Sequence, residues 1–233
     1  MKIEGSRVLI TGGGTGIGRA LAEEACRRGA RVAICGRRPE PLEEVAAATG
    51  AHPLVCDVAD PAAVEEMVAA ASEALGGTPE ALVNNAAFGH RARLLELASA
   101  DFEAVLRTNV LGAFHVAQAV ARRMVADGRG GSIVNIGSSA ARKGYPTGSA
   151  YAASKFALSG LSECWRAELR EHDIRVIQVD PSEVVTPFGG RQDLTEIPSK
   201  LRAQDVSQLV LSCLELDDRG MVTQVALWAT NPR

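Results

Sequence analysis

A doubly wound α/β domain, its mostly parallel sheet covered by helices on both faces, is the fold class this sequence predicts. Three observations carry the prediction. Short β-rich runs alternate with longer amphipathic stretches along the whole chain. The spacers reach about ten residues or more, long enough for the helical, right-handed crossovers that make consecutive strands parallel. A glycine-rich turn, Thr11 to Arg19, joins the first strand to the first helix.

The elements follow in order. Arg7–Thr11 reads as a strand and Gly16–Arg28 as a helix closed by Gly29. Arg31–Cys35 is the second strand, followed by a helix over Pro39–Ala48 that Gly50 terminates. Pro53–Cys56 is the third strand, and Pro61–Leu75 a helix opened by Asp60 as N-cap and Pro61 as first residue. Ala81–Val83 gives the fourth strand and Ser99–Ala126 a long helix. Ser132–Ile136 is the fifth strand, Ser149–Glu171 the next helix, and Arg175–Val179 the sixth strand. Ala203–Leu216 reads as a helix and Val222–Trp228 as the last strand. The one long irregular stretch is Pro181–Lys200, with three prolines and a Gly-Gly pair. Such loops are usually functional, and this one lies at the carboxyl edge of the sheet, where ligands bind.

Composition bounds the rest. With 233 residues and no repeat, low-complexity tract or linker, residues 1–233 read as one domain around one core, with a short substrate loop at about 181–202. Hydrophobic residues make up 46% and charged residues 23%, an ordinary globular balance. A net charge of -3 offers nothing that favours nucleic acid or an anionic membrane. No apolar run reaches the roughly 18 residues a membrane span needs. Met1 to Arg7 lacks a signal-peptide core, so a cytoplasmic location is expected. The five cysteines, Cys26, Cys35, Cys56, Cys164 and Cys213, lack metal-ligand spacing and mostly fall in apolar segments, as buried reduced thiols do. His52, His90, His115 and His172 are scattered and suggest no metal site.

Two motifs carry chemistry. Strand one runs into Thr11-Gly12-Gly13-Gly14-Thr15-Gly16-Ile17-Gly18-Arg19. Glycines there permit a tight turn and close approach to a pyrophosphate, and the helix N-terminus offers unpaired N–H groups with a positive dipole end. Further on, Tyr151 and Lys155 stand four residues apart, on one face of a helix. Only two tyrosines and four lysines occur, against 21 arginines, so chance rarely makes this pair. A free phenol has a pKa near 10, with about one in a thousand ionised at pH 7. Bringing it near neutrality takes about 4 kcal/mol, roughly what one cation at ~4 Å supplies at an effective dielectric of 20. Lys155 is the candidate cation fixed to the same helix face.

The spacing Gly12, Gly16, Gly18 after Thr11 resembles the short-chain dehydrogenase/reductase family. Cys56-Asp57-Val58, Asn84-Asn85-Ala86-Ala87, Asn109, Ser138, Tyr151 and Lys155 then follow in the family's order, so that the likeness runs from about residue 5 to 187. It implies a Rossmann fold of seven strands in the order 3-2-1-4-5-6-7, in the compact branch that includes the 3-oxoacyl-[acyl-carrier-protein] reductases. It also implies nicotinamide-cofactor contacts at Gly12, Thr15, Gly16, Ile17, Gly18, Asp57, Val58, Asn85, Ala86, Pro181, Val184 and Thr186. Tyr151 would donate a proton to a carbonyl oxygen as the nicotinamide gives up hydride, or take one back in alcohol oxidation. Ser138 would hydrogen-bond the same oxygen, Lys155 the nicotinamide ribose, and Asn109 a water that relays protons to Lys155. Ser139 is an adjacent alternative, but the spacing to Tyr151 favours Ser138.

Cofactor choice turns on Cys35-Gly36-Arg37-Arg38 at the end of strand two. An NAD enzyme commonly places a carboxylate there for the ribose hydroxyls. Here glycine stands in that place, and Arg37 and Arg38 offer guanidinium forks suited to a phosphate. NADP(H) is expected over NAD(H), with Arg37 the better placed by family analogy.

Three departures from the family pattern bear on function. Ala87 replaces a glycine, tolerable where φ stays negative. Pro181-Ser182-Glu183 replaces Pro-Gly, and Glu183 is either a solvated loop charge or a substrate contact. The stretch from Thr186 to Ala203 is short, which predicts a pocket that is open or completed by a neighbouring subunit and argues against the sugar-nucleotide epimerase or dehydratase branch, which needs a larger C-terminal substrate domain. Expected partners are therefore a small carbonyl or alcohol, with a 3-oxoacyl thioester or small ketone as candidates. Arg122, Arg123 and Arg129 could form a basic patch for an acyl carrier protein or simply a solvated helix end. Apolar residues on more than one face of the helix Ser149–Glu171 predict pairing into a homodimer or homotetramer through helices at about 99–126 and 149–171. A non-catalytic NADP(H)-binding sensor on the same scaffold is the competing class; the intact Ser138, Tyr151 and Lys155 set argues against it.

Overall fold

The computed structural model describes residues 1–195 and 197–230; Glu196 and residues 231–233, which the one-domain reading includes, lie outside the described residues. Strands β1 (Arg7–Thr11), β2 (Arg31–Gly36) and β3 (His52–Val55) alternate with helices α1 (Gly16–Arg27), α2 (Pro39–Thr49) and α3 (Pro61–Leu75). Next come β4 (Ala81–Asn84), α4 (Ser99–Leu106), a π-helical turn over Arg107–Gly112, α5 (Ala113–Asp127) and β5 (Gly131–Ile136). Helix α6 (Ser149–Leu169), β6 (Ile174–Pro181), β7 (Val184–Val185), β8 (Leu201–Arg202), α7 (Ala203–Leu214) and β9 (Gln224–Leu227) complete the order.

Seven strands form one sheet in the order β3-β2-β1-β4-β5-β6-β9, each neighbouring pair parallel. This is the expected arrangement, with β9 in the seventh place because β7 and β8 pair separately as a two-stranded ribbon. The strand period of two divides the core into two layers. Val8, Ile10, Val32 and Ile34 face Leu21, Leu42, Val206 and Val210 of α1, α2 and α7. Leu9, Ala33, Leu82 and Ile133 face Met67, Val68, Val116 and Val120 of α3 and α5.

Local signals set the helix ends. The Asp60 carboxylate caps α3 by accepting from the N–H groups of Ala62 and Ala63 at 2.9 and 3.3 Å. Gly50, Gly76 and Gly128 close α2, α3 and α5 in left-handed conformation. The expected single helix over Ser99–Ala126 is instead divided by the π turn. Its physical reason is long-range. Asn109, within that turn, is bonded to the β4–α4 loop, and Gly112 lies so close to Val58 that a Cβ would meet its side chain at 2.6 Å. Helix α6 stops at Leu169, with a 3-10 turn over Arg170–His172 taking up the remaining expected residues.

Among the described residues, no helix is long and apolar enough to cross a membrane. Cys35, Cys56 and Cys213 are buried, but Cys164 is exposed on the outer side of α6, contrary to the buried-thiol expectation.

Candidate active site

Chain order reverses in the sheet between β1 and β4, so a crevice opens at the carboxyl ends of these strands. The loop after β1 turns through Gly12, which holds φ +66. Gly18 packs so closely on the Gly12 carbonyl and Asn85 that any side chain there would overlap them. Thr15 starts α1 with extended backbone and no side-chain cap, and the first turn carries no acidic residue. The first N–H groups of α1 are therefore left for an outside acceptor. Ile17 lies against the core beneath them.

Asn85 braces the turn from the β4 side. Its amide nitrogen donates to the carbonyls of Thr11 and Gly12 at 2.9 and 3.1 Å, bracing the glycine turn. The N–H groups of Asn85 and Ala86 both donate to Thr11 Oγ1, at 3.0 and 2.9 Å. Ala87 keeps φ negative, so the missing glycine strains nothing. Asp57 is exposed at the end of β3, its carboxylate accepting the Ala59 N–H at 3.0 Å. Val58 turns its side chain onto Gly112, and its carbonyl lies 3.2 Å from His115 Nδ1.

Opposite the glycine turn, Pro181 ends β6, Val184 belongs to β7, and Thr186 is buried against Gly16. Gly14, Thr15, Gly16, Arg19, Thr186 and Arg202 contribute to the lining of a cavity of about 430 Å³ between α1 and this loop. Arg37 and Arg38 stand exposed beyond β2 with no ion pair among the described residues. Uncapped N–H groups, a side-chain-free cradle and two unpaired guanidiniums fit a dinucleotide phosphate backbone.

The reacting group lies beside this cradle. Ser138 follows β5, and its hydroxyl stands beside the Tyr151 phenol while accepting the Ala140 N–H at 3.1 Å. Lys155 is buried, its Nζ donating to the Ile136 carbonyl at 2.7 Å and lying 5.6 Å from the centre of the Tyr151 ring. The fold thus brings together Ser138, Tyr151 and Lys155. Burial pushes the Tyr151 phenol up to about 12, with the Ser138 hydrogen bond opposing and Tyr145 and Asp180 reinforcing the rise. Burial also pulls the Lys155 ammonium down to about 8 against the attraction of Asp180. Burial and the neighbouring charges thus favour the protonated form of Tyr151. A nicotinamide nucleotide, when bound, supplies the hydride for carbonyl reduction or accepts it in alcohol oxidation.

Asn109 is buried but spends its amide hydrogens on the Phe88 carbonyl and Ser154 Oγ, at 2.9 and 3.0 Å, while Oδ1 accepts the Phe88 N–H at 3.0 Å. A water can reach this side chain only through its remaining lone pair.

Four neighbours of the site escaped sequence reasoning. Phe188 tilts over Tyr151 with ring centroids 5.3 Å apart. Tyr145 packs on Gly148, and Thr147 between them holds φ +68, a strained value for a branched residue. Asp180 lies buried behind Ser138. A lone carboxylate in the apolar run of β6 was its one readable signal. Glu183 is neither free nor beside the phenol: it pairs with Lys200 at 2.6 Å and Arg191 at 3.9 Å, clasping the base of the loop. Arg122 and Arg123 both pair with Glu65, and Arg129 with Asp127, so three guanidiniums face two carboxylates and most of the patch's charge is compensated within it.

Comparison with known proteins agrees with this geometry. The short chain dehydrogenase family model matches residues 6–196. D-erythrulose reductase of Gallus gallus is 40% identical over 190 residues, covering 81% of this chain and 75% of that protein. L-xylulose reductase of Bos taurus is 35% identical over 206 residues, covering 87% and 81%. The solved structure of a 3-ketoacyl-(acyl-carrier-protein) reductase from Brucella melitensis, complexed with NADH, shares the fold. Its TM-score is 0.91 over 99% of this chain and 100% of that one, at 24% identity. With the glycine cradle, the Ser138–Tyr151–Lys155 cluster and these relatives in agreement, the chain belongs to the short-chain dehydrogenase family, as a nicotinamide-dependent oxidoreductase acting on an alcohol or its carbonyl.

Proposed function

We propose that this protein is an NADP(H)-dependent reductase that interconverts a small hydroxylated ketone and its secondary alcohol, with Tyr151 as acid and base. The carrying observation is the Tyr151 phenol beside the Ser138 hydroxyl, with Lys155 Nζ 5.6 Å from the centre of its ring. Arg37 and Arg38 favour the 2′-phosphate, because a fixed guanidinium gains more from a phosphate than from ribose hydroxyls. Relatives named for erythrulose and xylulose favour short ketoses over acyl thioesters. Gly12, Thr15, Gly16 and Gly18 would hold the pyrophosphate, Asp57 the adenine, and Val184 and Thr186 the carboxamide. We further infer that copies of the chain pair through α4, α5 and α6, as the outward Leu111 and Phe156 suggest.

The test is NADPH oxidation followed spectroscopically over a panel including D-erythrulose, L-xylulose and simple ketones. Tyr151→Phe is expected to lower turnover of the best substrate by about a thousandfold. Near wild-type turnover in that variant sinks the proposal.

A further inference from the structure

One buried ionisable group near the site has no part in the proton transfer described above. Asp180, next to last in β6, is 0% exposed. Its Oδ1 accepts the Ser138 N–H at 3.2 Å and a Gln178 amide hydrogen at 2.7 Å. Its Oδ2 accepts from Gln224 at 2.7 Å and lies 3.7 Å from Arg142 Nε. Residue 137 must be glycine, since a Cβ there would overlap Oδ1. The carboxylate is thus wedged beneath the corner Ile136–Gly137–Ser138. That corner carries two parts of the site: the Ser138 hydroxyl beside the Tyr151 phenol and the Ile136 carbonyl that accepts from Lys155 Nζ. Gln178 extends the connection into α6 by donating to Ser159 Oγ at 2.7 Å, and Ser159 in turn donates to the Lys155 carbonyl at 3.2 Å.

We infer that Asp180 is a positioning residue: its hydrogen bonds fix the Ser138 corner, and its charge holds Lys155 as an ammonium and Tyr151 as a neutral phenol. A carboxylate out of water persists only where donors and cations compensate it. Three N–H donors do so here, with Arg142 half in solvent. A negative charge favours a nearby ammonium and opposes a nearby phenolate. In keeping with this, Asp180 raises both Lys155 and Tyr151, opposing burial at the first and reinforcing it at the second. The other charged or titratable groups facing the cluster are Arg142 beside Asp180 and Tyr145 beside Tyr151. The contacts from β6 and β9, Gln178 and Gln224, are neutral. The consequence is a site biased toward proton donation, hence toward carbonyl reduction.

The inference rests on reading Tyr151 as the acid–base group, but its test needs no turnover, so the two fail separately. Only two tyrosines occur in the chain, so in a Tyr145→Phe background tyrosinate absorbance, or the Cζ resonance of labelled tyrosine, reports Tyr151 alone. Asp180→Asn keeps size and one acceptor while deleting the charge. The Tyr151 titration midpoint is expected to fall by about one pH unit. An unchanged midpoint in the folded variant overturns the assignment. Should that variant not fold, the swap Gln178→Glu with Asp180→Asn returns the carboxylate to the adjoining position, and its midpoint is expected to stay at the starting value. A fall of about one unit there, with the charge retained, overturns the assignment equally.

Discussion

Gly36 ends β2 without a side chain where a ribose-binding carboxylate would stand in many dinucleotide sites. A Cβ at this position would meet only the Leu42 methyls, at 3.6 and 3.9 Å, so an aspartate fits without displacing backbone. Arg37 and Arg38 follow it with no ion pair among the described residues. Arg37→Ala is expected to weaken NADPH about tenfold or more while leaving NADH nearly unchanged, the loss of one charge-assisted pair. Gly36→Asp is expected to move preference toward NADH, because its carboxylate repels the 2′-phosphate and accepts from the ribose hydroxyls. Fluorescence titration with both nucleotides decides. Equal wild-type affinities, or undiminished NADPH affinity in Arg37→Ala, refute the phosphate role. These residues were legible because they are adjacent in sequence and their chemistry is local. Asp180 was not, because its partners come from positions 138, 142, 178 and 224, which only the folded sheet brings together.

The π turn between α4 and α5 shows the same division one level up. Apolar periodicity continues through Arg107–Gly112, so a sequence pattern reads one helix from 99 to 126. The deciding contacts are non-local: Asn109 to Phe88 and Ser154, and Gly112 to Val58. Strand order, helix polarity and the glycine cradle were legible because turns, caps and crossover length are written locally. The two-residue strands β7 and β8 were not, since pairs so short carry no period. Asn109 therefore matters first as a brace. Asn109→Ala removes three hydrogen bonds and leaves a half-buried N–H and carbonyl at Phe88 without their partner. The expected cost is about 2–3 kcal/mol, a fall in Tm of about 5–10 °C in a chain of this size. Chemical and thermal denaturation measure it, and stability within about 0.5 kcal/mol of wild type removes the bracing role.

A solitary copy of this fold leaves α6 with an unusual outer face. Leu158 and Trp165 point inward and are buried, whereas Phe156 is 49% exposed and Cys164 stands in solvent. Phe156, Gly160 and Cys164 recur at four-residue spacing, so they share one helix face. Nothing lies within 4 Å of where a Gly160 Cβ would be, which leaves the middle of that stripe open to close approach by another helix. Leu111 in the π turn is 47% exposed, and this turn packs on α6. Large apolar side chains flanking a small residue are costly in water and well suited to a self-complementary two-fold contact. Sedimentation equilibrium at micromolar concentration is expected to give two or four times the 24.4 kDa chain mass. Phe156→Glu places a charge in the stripe without touching the buried side of α6, and is expected to shift the distribution to a smaller species with the thermal transition still cooperative. A wild-type monomer under these conditions overturns the pairing, and an undiminished assembly in Phe156→Glu moves it to another face.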